Sequence, residues 1–230
     1  MLFREEDEDE ELLPFQDRAD AGRMLASKLS AYSDRDDVLV LGLPRGGVPV
    51  AYEVAQALRA PLDVFVVRKL GTPWNRELAM GAIASGGVQR LDLSMVRALC
   101  VPEEAIREVA DAELQELERR ELLYRNGRPP LSVAGQTVIL VDDGIATGSS
   151  VLAAIAALRR QQAVRIVVAI PVAPANACSA IQMEADEVVS VAEPAMFFAV
   201  SQWYADFNQT TDDDVCELLR EANRSLPRAA

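Results

Sequence analysis

The chain has 230 residues, half of them hydrophobic, so it is long enough for one globular domain with a sizeable core and too apolar to be disordered throughout. Asp and Glu number 36 against 23 Lys and Arg, and the resulting net charge of −13 argues against nonspecific binding to nucleic acid or to an anionic membrane surface. The chain contains no histidine, which excludes Ser-His-Asp and Cys-His catalysis and imidazole metal sites.

The N-terminal stretch is strongly acidic, because residues 5–11 are all carboxylates. A like-charge block of this length is typical of a disordered, solvated tail. We therefore expect an acidic tail over residues 1–14 and a single domain over residues 15–225. The acidic start lacks the basic region of a signal peptide, and no apolar run approaches the ~20 residues of a membrane span. With three scattered cysteines and no CxxC pair, the chain suits the cytoplasm.

Helices and strands alternate after this tail. The predicted elements are a helix from an N-cap at Asp17 to Tyr32, a strand over 38–43, a helix over 48–59, a strand over 62–70, weaker strands in 79–85 and 87–93, a helix from Pro102 to about Tyr124, a strand over 136–143, a helix over 150–162, a strand over 164–172, a helix over 174–183, a strand over 187–192 and a last helix over 215–223. Strands that are apolar throughout are buried on both faces. The pattern predicts an α/β fold: a doubly wound, mainly parallel central sheet flanked by helices, with ligands at the carboxyl ends of its strands.

The segment VILVDDGIATGSS at residues 138–150 carries the strongest functional signal. It reads as a buried strand, two carboxylates at its carboxyl end, a loop of small residues and a helix N-terminus. Backbone N–H groups, hydroxyls and the helix dipole at such a loop favour a phosphate. Asp142 and Asp143 suit sugar hydroxyls or the water shell of a Mg²⁺ ion. A ribose 5-phosphate with free 2′ and 3′ hydroxyls satisfies both halves of the segment.

This segment resembles the motif with which type I phosphoribosyltransferases bind 5-phosphoribosyl 1-pyrophosphate (PRPP). The resemblance rests on four apolar residues, two acids, a small-residue loop and a Thr-Gly-Ser sequence. It implies that Asp142 and Asp143 contact the ribose hydroxyls and hold Mg²⁺ through water. It also implies that a loop cradles the 5-phosphate, consisting of Gly144, Ile145, Ala146, Thr147, Gly148, Ser149 and Ser150.

The same resemblance assigns the pyrophosphate to the loop after the first strand, often with an unusual backbone geometry. This loop consists of Pro44, Arg45, Gly46 and Gly47. The glycines let the backbone approach the phosphates closely, and the guanidinium supplies charge. The alternative is an ordinary turn with a solvated arginine.

Further cations follow the second strand, where the family commonly places a basic residue against pyrophosphate. The resemblance gives Arg68 and Lys69 a role in binding pyrophosphate and, with the two aspartates, in catalysis. A compact ammonium group suits the edge of a pyrophosphate. Arg76 could close over the pyrophosphate from a mobile segment. The alternative for all three side chains is that they are simply solvated.

Residues around 71–130 are expected to form a mobile lid or insert, since closure excludes water from an oxocarbenium-like ribosyl cation. The candidate lid residues are Arg119, Arg120, Tyr124 and Arg125. Their alternative role is to complement the dipole of their own helix.

In the family, a small variable hood selects the acceptor, and here it corresponds to residues around 193–212. Aromatic side chains could stack on a planar base there, or could instead pack the core or an oligomer face. The aromatic candidates are Phe197, Phe198, Trp203 and Tyr204. Asp212, Asp213 and Asp214 are interpreted as an N-cap cluster for the last helix and not as a metal site.

The resemblance implies an enzyme that uses PRPP and Mg²⁺ to transfer a 5-phosphoribosyl group to a nucleobase or other small nucleophile with release of pyrophosphate, as in nucleotide salvage. Ala146 stands where transferases for 6-oxopurines often carry Asp, so the identity of the acceptor is left undecided. A homodimer or a higher assembly is also left undecided. The alternative is a non-catalytic regulator that senses PRPP or a nucleotide and acts on a protein partner. A PRPP-synthetase type of enzyme is disfavoured, because it needs an ATP site and usually two tandem domains.

Overall fold

The computed structural model describes residues 15–225, so the predicted acidic tail over 1–14 lies outside the described residues. The elements in chain order are α1 Arg18–Lys28, β1 Val38–Gly42, α2 Gly47–Leu58, β2 Leu62–Val64, β3 Val67–Thr72, β4 Asn75–Ala84, β5 Val88–Leu91, α3 Leu93–Ala98, α4 Glu103–Arg125, β6 Thr137–Val141, α5 Ser149–Arg160, β7 Arg165–Val172, α6 Ala175–Gln182, β8 Glu187–Ala192 and α7 Asp212–Ser225. Short 3₁₀ turns lie at Ser30–Tyr32 and Val200–Trp203. Within this part of the chain, no helix combines the length and the apolar character that crossing a bilayer requires.

The central sheet has five strands in the order β2-β1-β6-β7-β8, all of them parallel. Every residue of β1 and β6 is buried, as expected for strands covered on both faces. One face packs against α1, α2, α4 and α7, and the other packs against α5 and α6. The predicted doubly wound α/β fold is therefore confirmed.

The strand predicted over 62–70 is wrong as a single element, because it is two strands that belong to different sheets. β2 ends the parallel sheet, whereas β3 begins an antiparallel sheet of order β3-β4-β5. Between them, the N–H of the buried Val66 donates to the Ser85 hydroxyl at 2.8 Å. The run stays apolar across the break, so its hydrophobicity does not mark the change of sheet.

The weaker strands predicted in 79–85 and 87–93 correspond to β4 and β5, but β4 begins earlier, at Asn75. Residues 93–98 form α3, which the sequence analysis did not predict. Its N-cap is Asp92, whose carboxylate accepts the N–H groups of Ser94 and Met95. β3, β4, β5, α3 and α4 together form what we call the inserted segment, residues 67–125.

The inserted segment is joined to the parallel sheet through α4. Four α4 residues lie in the same buried cluster as β1 and β2: Ile106, Ala110, Leu117 and Tyr124. At the end of the helix, the buried Arg125 donates through Nε to the Asp63 carboxylate at 3.0 Å and through Nη2 to the Val64 carbonyl at 2.8 Å. The predicted mobility of residues 71–130 stays a prediction. A motion of the whole segment would have to break the contact between Arg125 and Asp63.

Candidate active site

The loop after β6 forms a small cup at the carboxyl edge of the parallel sheet. Its cavity of about 130 Å³ is lined by Asp142 and residues 144–151. Gly148 has a φ of +76°, in the left-handed region, and forms the N-cap of α5. The first turn of a helix leaves backbone N–H groups without partners inside the helix, and the Thr147 and Ser149 hydroxyls lie 3.3 Å apart beside it. The cup therefore offers the donors and the helix dipole that bind a phosphate group.

The two aspartates of the motif occupy different environments. Asp142 lines the cup, and its Oδ1 accepts the N–H of Asp143 at 2.9 Å. Asp143 accepts Arg18 Nε on Oδ2 at 2.8 Å. Burial and then the charge of Asp143 raise the pKa of Asp142 well above its usual range. Burial also raises the pKa of Asp143, against the opposing effect of Arg18.

The loop predicted to bind pyrophosphate packs directly against these aspartates. Its Pro44–Arg45 peptide bond is cis. A Cβ atom on Gly46 would overlap Oδ2 of Asp143, and one on Gly47 would lie 2.8 Å from both Cα of Asp142 and the Val141 carbonyl oxygen. The structure thus brings two of the predicted segments together. The sequence predicts that these glycines let the backbone approach phosphates, whereas in the structure they permit close approach of the aspartate pair.

Arg45 lies between this loop and the start of α7. Its Nη1 is 3.9 Å from Oδ1 of Asp212, which also accepts the Tyr124 hydroxyl at 2.7 Å. Asp212 therefore faces Arg45 and Tyr124, and the predicted N-cap role is wrong for it. The cap is made by Thr211, whose hydroxyl accepts the N–H of Asp214 at 3.1 Å while the Asp214 carboxylate accepts the N–H of Thr211 at 2.8 Å.

The cations after the second strand lie elsewhere. Arg68, Lys69 and Arg76 line a separate cavity of about 500 Å³ between the β3–β4 hairpin and α4. Arg68 donates through Nε to Glu113 at 2.7 Å. Arg76 is exposed at the start of β4. None of the three lines the cup, so their role at a pyrophosphate stays a prediction.

Two hood residues, Tyr204 and Val200, pack against the segment at 138–150. The Tyr204 hydroxyl donates to the backbone carbonyl of Asp143, and the ring is buried. A Cβ atom on Gly144 would overlap the side chain of Val200, so the 3₁₀ turn of the hood packs tightly on the loop. Tyr204 thus has a supporting position, which agrees with the core-packing alternative, and stacking on an acceptor stays a prediction for it.

The other hood aromatics differ in exposure. Phe197 and Trp203 are partly buried against a cluster that contains Phe15 and Tyr204, whereas Phe198 is 80% exposed. Of the four aromatic candidates, Phe198 is the one open to stack on a ligand, and its role stays a prediction.

The candidate lid residues are engaged in contacts within the fold. Arg119 and Arg120 both donate to Glu116 on their own helix, which lowers the pKa of Glu116 to about 2. The Tyr124 ring and the Arg125 guanidinium are buried. The structure therefore gives Tyr124 and Arg125 structural positions, and a role in closure remains a hypothesis for Arg119 and Arg120.

Sequence reasoning missed Arg18. It lies at the start of α1, 125 positions before Asp143 in the chain, and its side chain is only 12% exposed. An arginine in the first turn of an amphipathic helix gives no signal of such a contact. Only the packing of α1 against α2, β7 and β8 brings Arg18 to Asp143.

The family model for the phosphoribosyl transferase domain matches residues 9–208 of this chain. The chain belongs to this family. Two proteins of Mycobacterium tuberculosis, from strains CDC 1551 and H37Rv and both provisionally named as phosphoribosyl transferases, are each 47% identical to it over 215 residues. These residues are 94% of this chain and 48% of either relative, so the chain spans about half the length of the curated relatives it matches.

A solved structure has the same fold over nearly the same length. The crystal structure of the protein TT1426 from Thermus thermophilus matches with a TM-score of 0.78 and 40% sequence identity, over 91% of this chain and 99% of that chain. The phosphoribosyltransferase resemblance drawn from the motif at 138–150 is therefore confirmed at the level of family and fold.

Residues 15–225 contain no cluster of three or more Cys, Asp or Glu side chains that could hold a metal ion by themselves. Adjacent carboxylates at a phosphate site nevertheless fit Mg²⁺, because this ion is usually held by one or two carboxylates together with substrate oxygens and water. In this phosphoribosyl transferase domain, Asp142 and Asp143 are the adjacent carboxylates that fit Mg²⁺ in this way.

Proposed function

We propose that this chain is a phosphoribosyltransferase that uses PRPP and Mg²⁺, transfers the 5-phosphoribosyl group to a small-molecule acceptor and releases pyrophosphate. One observation carries the proposal: the phosphate cup, the acidic pair and the Gly46–Gly47 loop lie in direct contact. These parts match the three chemical features of PRPP, namely a terminal phosphate, two free ribose hydroxyls and a pyrophosphate.

The three features are assigned in order along the site. The 5-phosphate occupies the cup, where the α5 N-terminus and the Thr147 and Ser149 hydroxyls are donors. Asp142 accepts hydrogen bonds from the ribose hydroxyls, since it lines the same cavity. The pyrophosphate extends toward the loop at 44–47, where Arg45 supplies positive charge.

Mg²⁺ supplies charge neutralisation for the leaving pyrophosphate when it is bound, and Asp142 and Asp143 would hold it through water. The chain's own contribution is positioning and exclusion of water. Arg45 stabilises negative charge that develops on the leaving group. Arg68, Lys69 and Arg76 add to this charge if the β3–β4 hairpin approaches the substrate.

The acceptor is a nucleobase or another small nucleophile bound between the cup and the hood. Phe198 is a candidate for stacking on it, because this ring is exposed. If the acceptor is a base, the reaction belongs to nucleotide salvage. We expect the protein to act in the cytoplasm, as a monomer or a homo-oligomer.

The test is calorimetric titration with PRPP and Mg²⁺, followed by a pyrophosphate-release assay across a panel of bases and amines. We expect PRPP binding that EDTA weakens and that the double variant D142N/D143N abolishes. The matched control is D111N on α4, an exposed aspartate remote from the cup. Absence of PRPP binding by the wild type would overturn the proposal. Binding without release for any acceptor would favour the regulatory alternative.

A further inference from the structure

Arg18 is held in one place by four groups. Its Nε donates to Asp143 Oδ2 at 2.8 Å and its Nη1 donates to the Asn208 carbonyl at 2.7 Å. The guanidinium carbon lies 3.9 Å from the centre of the Phe207 ring and 5.9 Å from that of Tyr204. Charge-assisted hydrogen bonds and a cation–π contact in a site that is 12% exposed fix the position of the side chain.

The backbone around Arg18 is joined to the hood. Phe15 donates its N–H to the Trp203 carbonyl and accepts the N–H of Ala205, both at 2.7 Å. Asp17 then caps α1 by accepting the N–H of Asp20 at 2.7 Å. The start of α1 and residues 203–208 therefore form one unit, and Arg18 extends from it to the acidic pair.

Asp143 is enclosed on three sides by this unit and by the neighbouring loop. Arg18 donates to its Oδ2, Gly46 packs against the same oxygen, and the Tyr204 hydroxyl binds its backbone carbonyl. Asp142 is largely buried as well, but it lines the phosphate cup, and its Oδ1 accepts the backbone N–H of Asp143 at 2.9 Å. Two adjacent carboxylates of the same motif therefore differ in the surface that they offer to a ligand.

We propose that Arg18 is a positioning residue for Asp143, and that Asp142 is the carboxylate that contacts the ribose hydroxyls of the ligand. The inference rests on the proposed function, since it assigns roles within the PRPP site. Arg18 supplies the positive charge that lets two neighbouring carboxylates lie beside an anionic substrate. By holding Asp143 in place, it also keeps the adjoining backbone, and with it Asp142 and the cup, in a fixed position.

The experiment is a double-mutant cycle on PRPP affinity, measured by calorimetry at fixed Mg²⁺ with thermal melting of each variant. D142N should lose roughly 100-fold or more in PRPP affinity, because it removes the negative charge and turns one of the two oxygens that can accept the ribose hydroxyls into an NH₂ donor. R18A and D143N should each lose about tenfold, the value of one charge-assisted hydrogen bond. R18A/D143N should be no weaker than the weaker single variant, whereas R18A/D142N should be weaker than either parent.

Two further variants separate positioning from loss of structure. R18K keeps the charge and should recover part of the affinity, whereas R18Q keeps polarity without charge and should not. The control is R23A on the same helix, whose side chain is 58% exposed, and it should bind PRPP like the wild type. If R18A fails to fold, the cycle is run with R18K, and coupling to D143N is still expected.

Additive losses at Arg18 and Asp143 would overturn the inference, as would wild-type affinity in R18A. Equal losses for D142N and D143N would overturn the unequal roles of the two carboxylates. A wild type that binds no PRPP would remove the proposed function itself. That result is recognised by the absence of binding before any substitution is made.

Discussion

The carboxyl edge of the parallel sheet and the inserted segment carry the predicted site residues in opposite ways. At the sheet edge, the site is built from backbone and small side chains, and there is no room for a Cβ atom at Gly46, Gly47 or Gly144. In the inserted segment, the site candidates are long cationic side chains, and Arg68 is bonded to Glu113 of the same segment.

The two regions differ in how much they must rearrange when a substrate binds. The cup is complete without any movement, because its donors belong to a helix N-terminus held by a buried strand. Arg68 must exchange a carboxylate for a phosphate oxygen before it can act on pyrophosphate. We infer that the sheet edge supplies binding and that the inserted segment, if it contributes, does so by rearranging its ion pairs.

The largest loss of PRPP affinity among these substitutions is expected for Gly47→Ala, which disturbs the contact between the loop at 44–47 and the aspartate pair. The new Cβ atom would lie 2.8 Å from backbone atoms of Asp142 and Val141, which cannot rotate away. The two loops must separate, and a displacement of this kind costs roughly 100-fold in PRPP affinity. Overpacking should also lower the free energy of unfolding by about 1–3 kcal/mol. Calorimetry and urea denaturation measure the two effects.

Gly135→Ala is the matched control for that substitution. Gly135 has a φ of +78° and open space where the Cβ atom would lie, so only backbone conformation is disturbed. We expect a loss of about 1–2 kcal/mol of stability and unchanged PRPP affinity. If Gly47→Ala behaves in the same way, the contact between the two loops is not needed for binding.

The largest loss of stability is expected where the inserted segment is anchored, in Arg125→Met. The Arg125 and Asp63 side chains are 6% and 8% exposed, so the substitution leaves a buried carboxylate without its cation. We expect a loss of about 3–5 kcal/mol in the free energy of unfolding. The exposed Arg107 of the same helix is the control, and R107A should change stability by no more than about 0.5 kcal/mol.

The double variant D63L/R125M sharpens this result. Replacing these two charges by apolar groups should restore part of the lost stability, because Asp63 no longer carries an unpaired charge. The recovery should be incomplete, because Glu121 still loses Arg125 and the N–H groups of Val64 and Leu131 lose the Asp63 carboxylate. If PRPP affinity also stays at the wild-type value, the anchor serves the fold alone. A single variant R125M as stable as the wild type would contradict the anchoring role.

The sequence predicted the sheet edge well, because its signals are local. A buried apolar strand, two acids and a small-residue turn follow one another within residues 138–150, and each has a direct physical meaning. The parallel order of the sheet follows from strand–helix alternation. What local pattern does not carry is packing between distant segments, such as Gly46 against Asp143 or Arg18 against Asp143.

The inserted segment was predicted poorly for a related reason. An apolar run shows that residues 62–70 are buried, but not that the chain changes from one sheet to another after Val64. Likewise, charge and position suggested contact with pyrophosphate or solvent for Arg68 and a lid or helix-dipole role for Arg119, whereas both are bonded to carboxylates of α4. Ion pairing between side chains depends on geometry that a single sequence does not display.

A moderate effect is expected from breaking the Arg68–Glu113 pair from either side. If Arg68 exchanges Glu113 for pyrophosphate, R68A should weaken PRPP binding about tenfold. E113Q should strengthen it about threefold, because the guanidinium is then released from its carboxylate. Calorimetry with PRPP and Mg²⁺ measures both changes, and E108Q, which lines the same cavity, is the control.

The opposite pattern would assign the pair to the fold. In that case R68A and E113Q would lower the melting temperature by similar amounts, and neither would change PRPP affinity. The two side chains are 26% and 22% exposed, so the stability lost would be modest.

The smallest effect is expected from the double variant R119A/R120A. Both guanidinium groups are bonded to Glu116, whose pKa is lowered to about 2, so this cluster stays charged and paired at neutral pH. Pairs three and four residues apart on an exposed helix face contribute only about 0.3–0.5 kcal/mol each. We expect PRPP affinity and the rate of pyrophosphate release to change by no more than about twofold. A loss of release rate of tenfold or more at unchanged affinity would instead place this helix end in a closing lid, and the inserted segment would then take part in catalysis by moving as a unit.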